Sequence, residues 1–236
     1  MDDPQEFVTQ VSTICDLYQA APVLEQQGIH VVSTDEMTGI QALERAAPTL
    51  PMQPGQPERR EFEYIRHGTR SLIADLAVAS GRVVNASLGP TRTEEDFVAH
   101  VQQTLAADPH GDWIFILDQL NTHQSEGLVR LVAQECGLTD DLGEKGKRGI
   151  LHTMPSRAAF LGNPAHRIRF VYTPKHCSWL NQIEIWFGIL VRRLLKRASC
   201  TSCEELQRRI LEFIAYFNRT MAKAFKWTYT GRPLAA

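Results

Sequence analysis

The sequence predicts an α/β fold: a mixed five-stranded sheet with helices on both faces. Three observations predict it. Short apolar or β-branched runs recur along the chain (IHVVSTDE, SLIADLAVAS, RVVNASLG, WIFILDQ, IRFVYTP). Segments with apolar residues at helical spacing separate the later runs. The first three runs lie close enough in sequence to pair antiparallel, whereas those linked through helices must run parallel.

Taken in order, residues 4–27 read as a helix, with Phe7, Val8, Val11, Ile14, Leu17 and Tyr18 near 3.6-residue spacing, and Gly28 ends it. The run 29–36 reads as a strand ending at Asp35. Residues 47–60, APTLPMQPGQPERR, hold four prolines and a glycine, and so read as a surface loop. Strands over 71–80 and 82–89 meet at Gly81 as a hairpin. Thr93, followed by Glu94, Glu95 and Asp96, opens a helix with apolar face Phe97, Val101 and Leu105. The continuous apolar run 113–119 reads as a buried central strand ending at Asp118. A helix over about 125–136 follows; residues 138–165 read as a weakly structured insertion. Strand 168–174 stops at Pro174, Ser178 caps a helix to about Arg197, and Ser202 with Glu205 opens a last helix in a capping box.

Charge is unevenly spread. The chain carries net −2, yet residues 187–236 hold ten Lys and Arg against three Glu. An acidic body with a basic tail suits a protein that gathers carboxylates in one place and meets a polyanion in another. The plainer reading is that these cations solvate the outer faces of two helices. No run of about 18 apolar residues is present, so nothing reads as a membrane span. The five cysteines fit a reduced cytoplasm better than a disulfide framework. Cys200 and Cys203 have no second pair at zinc-ligand spacing.

Asp35 and Asp118 each end a strand expected to be central. Parallel strands place such ends on one edge, where ligand sites of open α/β sheets lie. Glu184 stands near the start of the helix that leaves that same edge, in the otherwise apolar run WLNQIEIW. Converging carboxylates repel and call for a cation, and hard oxygen ligands select Mg²⁺ or Mn²⁺. Two such ions suit phosphodiester chemistry. Asn181, three residues before Glu184, shares its helical face and orients it or donates to phosphate. His123 reads either as a contact to the leaving group or phosphate, or as a residue that caps the next helix or bonds a backbone carbonyl. A strand-end aspartate by itself reads as a turn former. Alternation places Asp75 outward and aims Glu36 away from Asp35. Trp179, Trp186, Phe187 and Trp227 read as core.

Several stretches together resemble one family. STDEMTGIQALERAAPTLPMQPGQPERR, YIRHGTRSLIADLAVASGRV, FILDQLNTHQS, YTPKHCSWLNQIEIWFGILVRRLLKR and FNRTMAKAFKWTYTG, in that order, resemble the catalytic half of mariner-like bacterial insertion-sequence transposases. The resemblance spans about residues 5–232. It implies an RNase H-like fold, a DDE triad of Asp35, Asp118 and Glu184, two Mg²⁺ or Mn²⁺ ions held by those acids, and cleavage and joining of DNA strands. Asn121, His123 and Asn181 would support the triad; Arg192, Arg193, Lys196 and Arg197 would contact DNA.

The implied organisation is a helical linker over 1–28, a catalytic domain over 29–200 with an insertion at about 138–165, and a basic helix and tail over 201–236 packed on it. The implied setting is a bacterial cytoplasm, at the nucleoid, with transposon ends and target DNA as partners. Two departures stand out. The second acid is followed by Gln119 where the family has Asn, and the gap from Asp118 to Glu184 is long. The family's helix-turn-helix region has no counterpart before the first acid. The sequence therefore reads as a catalytic half that works as a homodimer or with a separate recognition half. The alternatives are a catalytically idle, transposase-derived DNA-binding or regulatory protein, and an RNase H-type nuclease on hybrids.

Overall fold

The computed structural model describes residues 4–59 and 61–229. Arg60, Arg232 and the end of the expected tail lie outside them. The chain order is α1 (Pro4–Gln26), β1 (Ile29–Arg45), β2 (Tyr64–Ala77), β3 (Arg82–Gly89), α2 (Glu94–Leu105), β4 (Asp112–Leu117), α3 (Glu126–Glu135), α4 (Met154–Leu161), β5 (Ile168–Tyr172), α5 (Ile183–Leu190) and α6 (Cys203–Thr220). One sheet runs β3-β2-β1-β4-β5. β1–β2 and β2–β3 are antiparallel, while β1–β4 and β4–β5 are parallel. This is the RNase H-like arrangement, with helices on both faces.

Strand alternation divides the side chains between those faces. Val32, Ile73, Trp113, Phe115, Leu117 and Phe170 turn toward α2, α3 and α4. On the opposite face, Val31, Ile114 and Ile116 meet α1 through Val11, Ile14 and Tyr18. Farther along that face, Leu72, Ala74 and Leu76 meet α5 and α6 through Trp186, Leu206, Ile210 and Phe217. The expected linker is thus a structural layer: over Pro4–Gln26 it is a helix whose apolar stripe closes one side of the core.

Several elements differ from expectation. β1 does not stop near Asp35 but runs on to Arg45, because β2 begins at Tyr64 and pairs with it from Val32 to Arg45, with register shifts between Met37 and Ile40 and between Gln41 and Leu43. The segment 138–165 is not weakly structured. It holds α4, capped by Thr153, and buries Leu151 and Leu161 completely against the core. Ser178 does not cap α5; it begins a 3₁₀ turn, Ser178–Leu180, and α5 starts at Ile183 with no side-chain cap from its own segment. A π turn, Val191–Leu195, follows α5. Ser202 does cap α6, but Glu205 bonds Thr201, so the reciprocal half of a capping box is missing.

The exposed edge of β3 is covered. Asn218 on α6 accepts from the Val83 N–H (2.9 Å) and donates to its carbonyl (2.7 Å), as a neighbouring strand would. At the β2–β3 turn, Gly81 holds φ +68°, and a Cβ there would sit 1.9 Å from the Lys223 carbonyl oxygen. All five cysteines are free thiols. Among the described residues no helix is long and apolar enough to cross a membrane.

Candidate active site

The β1–β4 register decides where the two aspartates lie. Ser33 pairs with Ile116 in the last registered position. Two residues farther along each strand stand Asp35 and Asp118, on neighbouring parallel chains about 4.8 Å apart. Val31 faces α1, so alternation along β1 sets Ser33 and Asp35 toward the side occupied by α1 and α5. Asp118 follows the last residue of β4, and its Oδ1 meets His123, whose ring lies against Phe97.

The third acid arrives through a tertiary cap. The Ile183 N–H, at the start of α5, donates to Ser33 Oγ on β1 (2.9 Å). Ser33 Oγ in turn donates to Asn181 Oδ1. The Asn181 amide donates to the Thr34 carbonyl (2.8 Å) and to Asp35 Oδ2 (3.2 Å). Tyr18 completes the anchor, donating to the Leu180 carbonyl (2.7 Å) and accepting from the Gln182 N–H (3.3 Å). Two residues before Asp35 on the same strand, Ser33 fixes the turn of helix that carries Glu184. Asn181 therefore orients Asp35 rather than Glu184.

Electrostatics show that the three acids share one field. Burial pushes Asp35 up to about 7, the Glu36 N–H pulls it back, and the charges of Asp118, Glu184 and Glu36 raise it further. Glu184 is raised by partial burial and by Asp118. Residue 184 is otherwise exposed. Burial pushes Asp118 up too, but His123, the Leu120 N–H and the charge of Arg92 together hold it below the usual carboxylate range. Among the described residues no three His, Cys, Asp or Glu side chains stand close enough to form a finished metal cage. Chemically the donors still fit a hard divalent ion: three carboxylates, one of them buried and raised by its neighbours' charges.

His123 is not placed as a contact to a leaving group; it does meet a backbone carbonyl, that of Asp118, as the second reading expects. It is fully buried, its ring 4.4 Å from Phe97, and touches no open surface. Nε2 lies 3.1 Å from Glu36 Oε1; Nδ1 faces the Asp118 carbonyl oxygen (3.1 Å) and Oδ1 (2.8 Å). Burial opposes its charge, but these two carboxylates raise it to about 9. It binds two acids together and has no nitrogen left for a leaving group. Asn121 is exposed and makes no hydrogen bond to the triad among the described residues.

Asp75 is also corrected. It is wholly buried, accepting from Thr34 (2.5 Å) and from Thr104, with His100 Nε2 at 3.1 Å. It braces the strand beside Asp35 and faces the opposite side of the sheet. Trp186 and Phe187 are core, but Trp179 is 51% exposed and Trp227 is half-buried against Tyr18.

A cleft of about 300 Å³ opens beside Asp118, its far wall formed by Lys175 and His176. Arg192, Arg193, Lys196 and Arg197 line up on and after the π turn, all exposed and without an acidic partner among the described residues. Arg208 and Arg209 are instead paired with Glu212 and Glu205 along α6. Arg92, exposed and near Asp118, was not singled out by sequence; an arginine in a loop carries no periodic signal.

A family model for DDE superfamily endonucleases matches residues 30–207, taking in all three acids. The chain belongs to that family. Among solved structures, this DDE endonuclease is similar in fold to a pre-cleavage Mos1 transpososome, at 12% identity and TM-score 0.53, over 93% of this chain and 59% of that one. It is similar to the Mos1 mariner paired end complex with Mn at 12% and 0.51, over 93% and 59%. The isolated catalytic domain of Mos1 mariner transposase matches at 10% and 0.51, over 93% of this chain and 88% of that one. The DDE endonuclease thus spans less than two thirds of the transposase chains in the first two complexes. No curated protein sequence matches it.

Proposed function

We propose that this DDE endonuclease is the catalytic domain of a transposase, cutting DNA strands and joining them to a target with Mg²⁺ or Mn²⁺. The observation that supports the reading is that Asp35 and Asp118 follow two residues after the last registered pair of β1 and β4, Ser33 and Ile116, and that the charges of Asp118 and Glu184 help to raise Asp35 to about 7. Structures similar in fold are described as a paired end complex with Mn, a catalytic domain with Mg and a pre-cleavage transpososome, which supports both the metal and the substrate class.

Asp35, Asp118 and Glu184 would hold the cation, two ions in the fullest form. When bound, the metal supplies a nucleophile at neutral pH and stabilises charge on the leaving oxygen. The chain's own residues set the conditions. Asn181 and the Glu36 N–H fix the two oxygens of Asp35. Ser33 holds the first turn of α5, and with it Glu184, against β1. Arg192, Arg193, Lys196 and Arg197 offer unpaired cations to the phosphates of a duplex, and Arg92 offers one close to the acids. Such contacts position DNA without reading its sequence. The proposed protein partner is a second copy of the chain or a separate helix-turn-helix-bearing half.

The test is cleavage of a labelled duplex by the purified chain with Mg²⁺ or Mn²⁺. Metal-dependent nicking or strand transfer, lost in Asp35→Asn, is the expected result. Salt-sensitive DNA binding without cleavage would point to an idle regulatory protein; preference for RNA–DNA hybrids would point to an RNase H-type nuclease.

A further inference from the structure

We propose that Glu36 is a positioning residue: acting through His123, it holds Asp118 with a single carboxylate oxygen, Oδ2, free to take a cation. The inference rests on the reading of Asp118 as a cation ligand.

Alternation along β1 sends Ser33 and Asp35 to one face of the sheet and Thr34 and Glu36 to the other. Glu36 therefore cannot join Asp35 at the same ion. Its side chain is nonetheless only 4% exposed, and Oε1 lies 3.1 Å from His123 Nε2. His123 has no freedom to turn away. It is fully buried, its ring lies against Phe97, and its carbonyl accepts from the Tyr172 hydroxyl (2.8 Å). The other ring nitrogen meets Asp118 at both its carbonyl oxygen (3.1 Å) and Oδ1 (2.8 Å).

Oδ1 also accepts from the Leu120 N–H (3.0 Å). Oδ2 has no hydrogen-bond partner among the described residues, and the side chain is 44% exposed. Asp118 is therefore tied by one oxygen and open at the other. A ring that donates from Nδ1 to Asp118 and from Nε2 to Glu36 needs an acceptor at both ends. Removing the Glu36 oxygen leaves a buried N–H without a partner, and the ring then loses the fixed orientation it passes on to Asp118. Groups that orient a metal ligand in this way change metal affinity by about 10- to 100-fold when removed.

The experiment measures Mn²⁺ binding to the full chain by titration calorimetry, with cleavage followed against Mn²⁺ concentration. Glu36→Ala is expected to weaken Mn²⁺ binding by about 10-fold or more. The Mn²⁺ concentration for half-maximal cleavage should rise by the same factor, with the rate recovering at saturating Mn²⁺. Glu36→Gln keeps an oxygen for the Nε2–H and should stay near wild type. Glu36→Asp keeps the charge but withdraws the oxygen by one methylene, and should behave like the alanine variant.

A purely structural role would lower the rate at every Mn²⁺ concentration, and that result would overturn the proposal. So would wild-type Mn²⁺ affinity in Glu36→Ala or, should that variant not fold, in Glu36→Asp. Asp118→Asn separates the two readings. If it binds Mn²⁺ as wild type does, the assignment of the site itself has failed. If it loses binding while Glu36→Ala keeps it, only the positioning role has failed.

Discussion

Replacing Asp35 by asparagine is expected to stabilise the metal-free protein while it abolishes cleavage. Asp35 is 9% exposed, and its carboxyl is pushed up to about 7, first by burial and then by the charges of Asp118, Glu184 and Glu36. In the unfolded chain it titrates near the ordinary aspartate value of about 3.9. A group whose folded pKa lies above its unfolded one favours the fold fully below the unfolded pKa, and that contribution is lost as pH rises through the folded value. For Asp35 the window runs from about pH 4 to pH 7.

At about 1.4 kcal/mol per unit, raising the pH from 5 to 8 removes about 2–3 kcal/mol from the metal-free wild type through this one group. The substituted asparagine carries no titrating proton. Its amide would meet the Asn181 amide donor where Asp35 Oδ2 now accepts, a loss of about 1 kcal/mol that is equal at both pH values. His123, raised to about 9, titrates in both proteins and cancels. Urea unfolding with chelator, at pH 5 and pH 8, reads the difference directly. The stability of Asp35→Asn relative to wild type should grow by about 2 kcal/mol between the two. An unchanged difference would refute the claim that Asp35 sits in a field of unneutralised acids. Mg²⁺ at pH 8 should narrow the gap, by stabilising the wild type alone.

Glu184→Gln should abolish metal-dependent cleavage yet change unfolding free energy by less than about 0.5 kcal/mol, since the side chain is exposed. Ser33→Ala leaves the Ile183 N–H without its acceptor; it should cost about 1–3 kcal/mol in urea unfolding and lower cleavage as the turn bearing Glu184 loosens. Changing Arg192, Arg193, Lys196 and Arg197 together to Ala should weaken DNA binding evenly across sequences. The slope of log affinity against log salt should fall by about 0.9 for each phosphate no longer neutralised, measured by fluorescence anisotropy. Gly81→Ala places a Cβ against the Lys223 carbonyl at a positive φ and should destabilise by about 2 kcal/mol or more, read as a lowered Tm.

Asp118 was legible as a strand end: WIFIL reads as a buried strand, and β4 stops at Leu117, one residue before it. Asp35 was expected at a strand end on the same logic but lies inside β1, opposite Ala74. What sequence hides is pairing supplied from a distance. Nothing in MTGIQALER marks it as strand; it is held there by β2, by the burial of Ile40 and Ala42 against α5 and α6, and by the Cys200 N–H, which donates to the Leu43 carbonyl (2.8 Å). Helix α4 is masked by Pro155 at its first turn and by the buried Arg157, whose guanidinium bonds the carbonyls of Gln124 and Leu151. Asp75 looks outward by alternation, because sequence does not show that α2 brings His100 and Thr104 over that face of β2. Glu36 was set aside for the right geometric reason, since it does face away from Asp35; the histidine that meets it comes from 87 residues later. Ser178 looked like a cap, but Ser33 fills that role from another strand.

The cap across Ser33 and Ile183 joins residues 150 apart in sequence. Contacts of such separation raise contact order, and folds rich in them form slowly. On the proposed reading, Glu184 reaches its place only where α5 has docked on β1, so the third acid depends on a contact between distant parts of the chain rather than on its own segment. Loss of that docking would remove cleavage without any change in the three acids.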